Sequence, residues 1–134
     1  MKKVYAGTRM KAVGSGVLIS VGTSMTDIHG LRHIVRHSPT GMEFGYSGSG
    51  PADLALSILT DVFDGRVALA DLYYMEFKFE YVASWLSDEW VVTSDDIDEW
   101  LKKKTGSGIE ELKQKFDALN EEQRLDVKYS RKMP

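Results

Sequence analysis

The hydrophobic period of the chain changes near residue 51, and this change constrains the fold more than any other feature. Before it, apolar residues alternate with polar ones or form short β-branched runs, a pattern typical of strands. After it, apolar residues recur every three or four positions, as on the buried face of a helix. Strands followed by helices indicate an α+β fold. We therefore expect a small antiparallel sheet of N-terminal strands packed against three to four helices.

The predicted sheet lies within residues 3–36. Two strands are expected over residues 3–21, joined by a turn at Gly14-Ser15-Gly16, because glycine adopts positive φ without steric cost. A third strand is expected over residues 31–36, where apolar and polar side chains alternate. Residues 90–92, Trp-Val-Val, are predicted to form a further short strand.

Two helices are predicted in the middle of the chain. The first opens at Pro51, since proline suits the first helical position, and it ends at Gly65. The second covers residues 67–85 and is apolar on nearly every side, which indicates a central core helix or part of an oligomer interface. The alternation of aromatic and charged residues over 77–81 also permits a strand there.

The remaining helices are predicted from capping patterns. Thr93 and Asp96 have the spacing of a capping box, which starts a helix that runs to about residue 104. Ser107 and Glu110 repeat the pattern and start a last helix that runs to about residue 119. Residues 128–134 are predicted to be a tail.

Composition narrows the class of protein. A chain of 134 residues, 43% of them hydrophobic, suits one domain with its own core, so we expect a single domain over residues 1–134. Its net charge of −3 gives no overall attraction to nucleic acid or anionic lipid. The absence of cysteine excludes disulfides and thiolate chemistry. The N-terminus lacks the apolar region of a signal peptide, and no apolar run approaches the ~20 residues of a membrane span. We expect a cytoplasmic protein without membrane or nucleic-acid partners.

The segment from Ser38 to Gly50 is the main functional candidate. It is a long stretch without a regular period, and such connections inside a compact domain are usually functional or disordered. Disorder fits poorly, because Met42, Phe44 and Tyr46 in its middle favour burial or a partner. The segment ends at the start of a predicted helix, where free N–H groups and the helix dipole attract anions.

The side chains in and beside this segment suit a nucleotide-like ligand. Arginine offers phosphate a planar fork of donors, and aromatic rings stack on bases. We expect Arg36 and the N–H groups of residues 47–50 to hold phosphate, and Phe44 and Tyr46 to stack on a base. No cofactor, metal or catalytic residue is predicted. The predicted ligand-binding residues are Arg9, Arg36, His37, Ser38, Thr40, Glu43, Phe44, Tyr46, Ser47, Gly48, Ser49 and Gly50.

The segment matches neither of two common phosphate-binding motifs. No Lys-Ser or Lys-Thr follows its last glycine, as a Walker loop requires, and its glycines do not have the G-x-G-x-x-G spacing. A structural explanation therefore stays open, in which the glycines turn the chain and Glu43 and Asp53 cap the following helix.

Metal binding and catalysis are weaker alternatives. His29, His33 and His37 are four residues apart, but side chains at that spacing on a strand stand about 13 Å apart. A serine of the segment with His37 could form a nucleophile–base pair, but nothing in the sequence orients such a base.

One longer motif resembles a known family. Residues 37–56, HSPTGMEFGYSGSGPADLAL, resemble the signature HSPTGFEWGYGGSGPADLAL of an uncharacterised family of small bacterial and phage proteins, with differences at positions 42, 44 and 47. The resemblance extends to Tyr5-x-Gly7-x-Arg9 and to Phe77-Lys78, and it covers about residues 5–101. Residues 102–134, the predicted last helix and tail, lie outside it.

The family has no settled activity, but its presence in phages implies a role in phage–host conflict. In size and distribution the chain is also similar to phage anti-Thoeris proteins, which sequester cyclic ADP-ribose-type signals without cleaving them. We therefore expect a non-enzymatic, homo-oligomeric binding protein that sequesters a nucleotide-like immune signal, either cyclic ADP-ribose or a cyclic nucleotide. Two alternatives stay open: a protein-interaction module that inhibits a host defence protein through the same loop, and a small nucleotide-processing enzyme.

Overall fold

A computed structural model describes residues 2–10, 16–23 and 26–133. Four strands form one antiparallel sheet in the order β3-β2-β1-β4. Three of them precede the helices and the fourth lies between the 3-10 helix and α4, so the predicted α+β class is confirmed. The strands are β1 (Val4–Arg9), β2 (Val17–Gly22), β3 (Ile28–Gly30) and β4 (Glu89–Thr93). The helices are α1 (Ser49–Val62), α2 (Val67–Ala70), α3 (Tyr74–Glu80), a 3-10 helix (Val82–Ser84), α4 (Ser94–Thr105), α5 (Ile109–Asp117) and α6 (Glu121–Ser130).

The sheet buries one face and leaves the other uncovered. In the middle of the sheet, Tyr5 of β1 pairs with Val21 of β2 and Val92 of β4, and all three side chains are buried. The alternate residues point the other way, and Leu18 and Val91 are exposed there. This alternation of buried and exposed residues follows from the period of two along a strand.

Helix α1 is the central helix of the core. All of its residues except Ser49 and Asp61 are buried, whereas a surface helix buries only one stripe. The chain leaves α1 through a left-handed turn in which Gly65 has φ +90°, close to where the sequence predicted its end. The start differs slightly, since the helix begins at Ser49, two residues before Pro51.

The prediction of one helix over residues 67–85 is wrong. The segment is divided into α2, α3 and the 3-10 helix, with a turn at residues 71–73. Leu69 of α2 and Phe77 of α3 are both fully buried. Dividing the segment allows apolar residues on several sides to reach the core, which one straight helix could not do.

The third strand was placed wrongly. The observed strand is Ile28–Gly30, and residues 31–35 have no regular structure. The N–H of Ile34 donates to Ser57 Oγ at 2.8 Å, so this segment is bound to α1 by side-chain hydrogen bonds rather than to a strand. Of the predicted turn at Gly14-Ser15-Gly16, residues 14 and 15 lie outside the described part of the chain.

The capping box of α4 is confirmed, and the one predicted for α5 is wrong. Thr93 Oγ1 accepts from the N–H of Asp96 at 3.2 Å, and the N–H of Thr93 donates to Asp96 Oδ2 at 2.9 Å. Helix α5 begins after Gly108 without a side-chain cap of its own. Instead Asp98 of α4 accepts from the N–H of Ile109 at 2.8 Å.

The predicted tail overlaps a helix that the sequence analysis did not predict. Helix α6 runs to Ser130 and begins with a capping box formed by Asn120 and Gln123. Its Val127 is fully buried, so the helix packs on the core. None of the helices in the described ranges is both long and apolar enough to cross a bilayer.

Candidate functional site

The segment before the predicted loop is held by one buried carboxylate on α1. Asp53 is 0% exposed and accepts from the N–H groups of Arg36 at 3.2 Å, His37 at 2.9 Å and Ser38 at 3.0 Å. The Nε2 atom of His33 lies 2.9 Å from its Oδ2. Asp53 was expected to cap the helix, but no described side chain caps α1. It orders the entry to the loop instead.

Asp53 stays ionised in this environment. Burial opposes ionisation, but the hydrogen bond from His33 and those from the backbone of residues 36–38 outweigh it and hold the pKa of Asp53 below its usual value. A carboxylate that accepts several N–H bonds favours its charged form.

The middle of the loop is attached to the 3-10 helix. The N–H of Gly45 donates to the Val82 carbonyl at 3.0 Å, and Gly45 has φ +85°. A Cβ at this position would lie 2.8 Å from the Trp85 carbonyl oxygen. Both the backbone conformation and the available space therefore require glycine here.

Arg9 and Glu43 connect the loop to the sheet. The Nη2 of Arg9 donates to Glu43 Oε1 at 2.7 Å and to the Phe44 carbonyl at 3.1 Å, while Nη1 lies 3.6 Å from Asp88. The hydrogen bond with Glu43 raises the pKa of Arg9. Arg9 thus lies between two carboxylates, and its hydrogen bonds attach the loop to the sheet.

Phe44 lies in the core. It is 1% exposed, its ring packs edge-on against Trp90 with 6.1 Å between centroids, and the Arg9 guanidinium lies 4.4 Å from its centroid. This burial leaves the ring no surface for a base, so the stacking expected of two aromatic residues falls to Tyr46 alone.

Tyr46 covers the start of α1. A Cβ added at Gly48 would lie 2.7 Å from Cε2 of Tyr46, and one at Gly50 would lie 3.3 Å from its hydroxyl and 2.7 Å from Cβ of Glu43. These glycines allow Tyr46 and Glu43 to pack directly on the first turn of the helix. Tyr46 is nevertheless 50% exposed, so one side of it is available to a ligand.

A groove of about 400 Å³, called here the loop groove, opens beside these residues. Its volume lies within the usual range for small-molecule sites. Five of the predicted ligand-binding residues line it, together with other residues that were not predicted to bind a ligand. The lining residues are Gly16, Val17, Ser38, Thr40, Gly41, Met42, Glu43, Tyr46 and Gly50.

Arg36 and His37 are not among the residues that line the loop groove. Arg36 forms an ion pair with Asp71, and Nε2 of His37 lies 2.9 Å from the Tyr74 hydroxyl. The His37 and Tyr74 rings also stack, with 6.0 Å between centroids. Both side chains therefore pack against the turn before α3 and the start of that helix.

The other predicted residues flank the groove. Ser47 and Ser49 are exposed, and Gly48 precedes α1 in extended conformation. Gly16 and Val17 join the groove through the start of β2, a long-range contact that no local motif could indicate. Met42 could have been selected, since it is an apolar residue inside the candidate segment.

The three histidines do not converge. His29 is exposed on β3, while His33 and His37 contact Asp53 and Tyr74, respectively. Over the described ranges there is no group of three or more histidine or acidic residues that could hold a metal ion.

Comparison with known proteins identifies the family. No curated protein and no solved structure matches the chain. Residues 5–103 match a family of unknown function (DUF6166), close to the extent of 5–101 expected from the 37–56 motif. Helices α5 and α6 lie beyond the matched region. The chain is therefore a member of DUF6166, a family of unknown function.

Proposed function

We propose that the protein is a non-enzymatic binding protein that holds a nucleotide-like ligand in the loop groove. The observation that carries this proposal is the convergence of Ser38, Thr40, Glu43, Tyr46 and Gly50 on one groove of about 400 Å³. These residues supply hydroxyls, a carboxylate and an aromatic ring. Sites with a few convergent polar groups and an aromatic face are typical of small-molecule binding.

The contacts of Tyr46 and Arg36 refine the expected binding mode. Tyr46 offers an exposed aromatic face on which a base can stack. Arg36 forms an ion pair with Asp71 and does not line the loop groove. We therefore do not assign phosphate binding to it. Any phosphate would rely on the start of α1 at Ser49, which is exposed, since helix N-termini attract anions.

Binding without turnover agrees with the placement of His37. Its Nε2 is engaged by Tyr74, and its backbone N–H by Asp53. The ring therefore faces α3 rather than the serines of the loop, and a general base must lie within hydrogen-bond reach of its nucleophile.

We propose that the biological role is sequestration of an immune signal, either cyclic ADP-ribose or a cyclic nucleotide, in the cytoplasm and in a phage-associated setting. This role rests on the resemblance of residues 37–56 to the bacterial and phage family. The lack of cysteine suits a reducing compartment, and the net charge of −3 argues against nucleic acid as the partner.

A thermal-shift screen against mono-, di- and cyclic nucleotides and ADP-ribose derivatives tests the proposal. A ligand at 100 times its Kd adds about 2.7 kcal/mol to the unfolding free energy, which raises the Tm by several degrees. Each hit is then released by heat and weighed. We expect the ligand to be recovered intact, and a change in its mass would show an enzyme instead.

A pair of tyrosine variants tests whether the ligand that raises the Tm binds in the loop groove. Tyr46→Ala removes the exposed ring and is expected to weaken binding about tenfold, since stacking on a base contributes about 1–3 kcal/mol. Tyr129→Ala removes a ring on α6 that is 77% exposed, and it should bind like the wild type. Equal losses in the two variants would place the ligand elsewhere.

A second candidate function is protein binding through α3. Met75 and Phe79 are one turn apart on this helix, and both are exposed. Exposed apolar residues grouped in this way are typical of protein contacts. Two results would support this candidate. No ligand in the screen would shift the Tm, and Phe79→Ser would abolish binding to a defined protein.

We also propose that the protein forms a homo-oligomer. The motivating feature is the uncovered face of the sheet, where Leu18, Ile28 and Val91 are each more than half exposed on three strands. An apolar face of this kind is stabilised when another surface covers it.

A further inference from the structure

Glu43 is the only charged residue among the described residues that line the loop groove. Its Oε1 accepts from Arg9 at 2.7 Å and from the N–H of Phe44 at 3.2 Å. Its Oε2 accepts no hydrogen bond from any residue in the described ranges, and a third of the side chain is exposed. Within the described part of the chain, one carboxylate oxygen is therefore fixed by hydrogen bonds while the other has no protein donor.

The two arginines that were expected to serve the site are already paired with carboxylates. Arg9 is shared between Glu43 and Asp88, and Arg36 pairs with Asp71. A phosphate placed against Glu43 would lie beside a carboxylate, and none of the described residues that line the groove is a cation that could offset the repulsion. Hydroxyl groups suit this position better, because an ionised carboxylate is a strong acceptor and cannot donate.

We propose that the loop groove recognises the sugar of its ligand, with Oε2 of Glu43 accepting a hydrogen bond from the 2′-hydroxyl of a ribose. Acidic side chains bind ribose hydroxyls in this way in dinucleotide-binding folds. The hydroxyls of Ser38 and Thr40 line the same groove and add further partners. The inference rests on the proposed function, because it names the part of the nucleotide-like ligand that this groove contacts.

The position of Glu43 makes it suitable as a specificity residue. Arg9 fixes its Oε1, and its Cβ packs on the first turn of α1 beside Gly50. A carboxylate held from two sides loses little freedom on binding, which favours affinity. A ligand without the 2′-hydroxyl would supply no donor to Oε2, and the loss of a hydrogen bond to a charged group lowers affinity.

The test compares ribonucleoside 5′-monophosphates of the four bases with their 2′-deoxy counterparts by calorimetry on the wild-type protein. We expect at least one ribonucleotide to bind, and its 2′-deoxy form to bind about tenfold more weakly. In Glu43→Gln the ribonucleotide should weaken to the level of the 2′-deoxy form. The Tm of that variant, and a second variant Glu43→Asp that keeps the charge on a shorter side chain, show whether the loop is still folded.

The outcomes separate the two proposals. Equal affinity for the ribo and deoxy forms in the wild type would overturn the sugar assignment and leave the binding function intact. A preference for ribose that persists in a folded Glu43→Gln variant would also overturn the role of Glu43. If no ribonucleotide binds, the sugar assignment fails, whereas the proposed function fails only if the thermal-shift screen with cyclic nucleotides and ADP-ribose derivatives also gives no ligand.

Discussion

Asp53 is the residue on which the geometry of the site depends most. One carboxylate with no exposed surface accepts hydrogen bonds from three successive backbone N–H groups and from His33. Its partners lie at the start of the loop, while Asp53 itself lies in the central helix. Asp53 therefore fixes residues 36–38, which have no regular structure, against helix α1.

Replacement of Asp53 by asparagine should destabilise the protein by about 3 kcal/mol or more. An amide has one acceptor oxygen and two N–H donors, so it leaves buried backbone N–H groups unpaired and turns donors toward them. Urea denaturation at pH 7 measures the loss. Asp95→Asn is the control, since Asp95 is exposed and forms a salt bridge with Lys2 across 3.5 Å, and it should change stability by less than about 0.5 kcal/mol.

The effect of Asp53 should also depend on pH. Its pKa is lowered in the folded state, because hydrogen bonds to the charged form outweigh burial. The folded protein therefore binds this proton less tightly than the unfolded chain, and the stabilisation present above the unfolded value of about 4 is lost as the pH falls below it. The difference in unfolding free energy between the wild type and Asp53→Asn should decrease as the pH is lowered from 5. A constant difference would contradict the assignment of an ionised Asp53.

At the scale of elements, the junction between the loop and α1 decides the shape of the loop groove. No described side chain caps this helix, and its first turn is covered by Tyr46 and Glu43, which approach Gly48 and Gly50 directly. The glycines that suggested a phosphate cradle also serve as contact points for side chains of the same loop.

A pair of glycine substitutions tests this packing. In a helix, alanine is ordinarily more stable than glycine by up to about 1 kcal/mol. At Gly50 a Cβ would lie 2.7 Å from Glu43 Cβ and 3.2 Å from its backbone nitrogen. We therefore expect Gly50→Ala to destabilise the protein by about 1–3 kcal/mol, as measured by thermal and urea unfolding.

Gly30 provides the matched control for this substitution. It lies on β3 without a positive φ, and a Cβ there would have nothing within 4 Å. Gly30→Ala should therefore be close to neutral, within about 0.5 kcal/mol. If Gly50→Ala were as stable as this control, the close contact between the loop and α1 would be wrong.

For the whole molecule, the C-terminal helices extend the core beyond the family region. Leu112 and Phe116 of α5 are buried, and Arg66 forms two hydrogen bonds with Asp117, at 2.7 and 2.6 Å. Lys113 reaches Asp64 at 2.6 Å. These contacts attach α5 to the end of α1, far along the chain from the loop, so the added helices support the domain from the opposite end of that helix.

The oligomer proposal also belongs at this scale. Light scattering should give a mass at least twice the 15.1 kDa of one chain. Val91→Lys places a charge on the exposed sheet face, in the middle of the edge strand β4, where Val91 is 65% exposed, and it should shift the mass to that of one chain. Leu86→Lys, at an exposed site outside the sheet, should not. A monomeric wild type would contradict the proposal.

Local physics made the main elements predictable. The change of hydrophobic period near residue 51 determined the α+β class, and the Thr93–Asp96 capping box determined the start of α4, because both depend on residues close together in the chain. The length and composition of residues 38–50 likewise indicated the segment that lines the groove.

The tertiary structure decided what each side chain of the candidate site does. The sequence placed Phe44, Arg36 and Tyr46 together as ligand-binding residues, but core packing buries Phe44, Asp71 holds Arg36 near α3, and only Tyr46 remains at the groove. The same is true of residues 31–36, whose alternation suits a strand but whose N–H groups find acceptors on α1. These outcomes depend on partners that are distant in the chain, and competition for such partners is settled only when the whole chain packs.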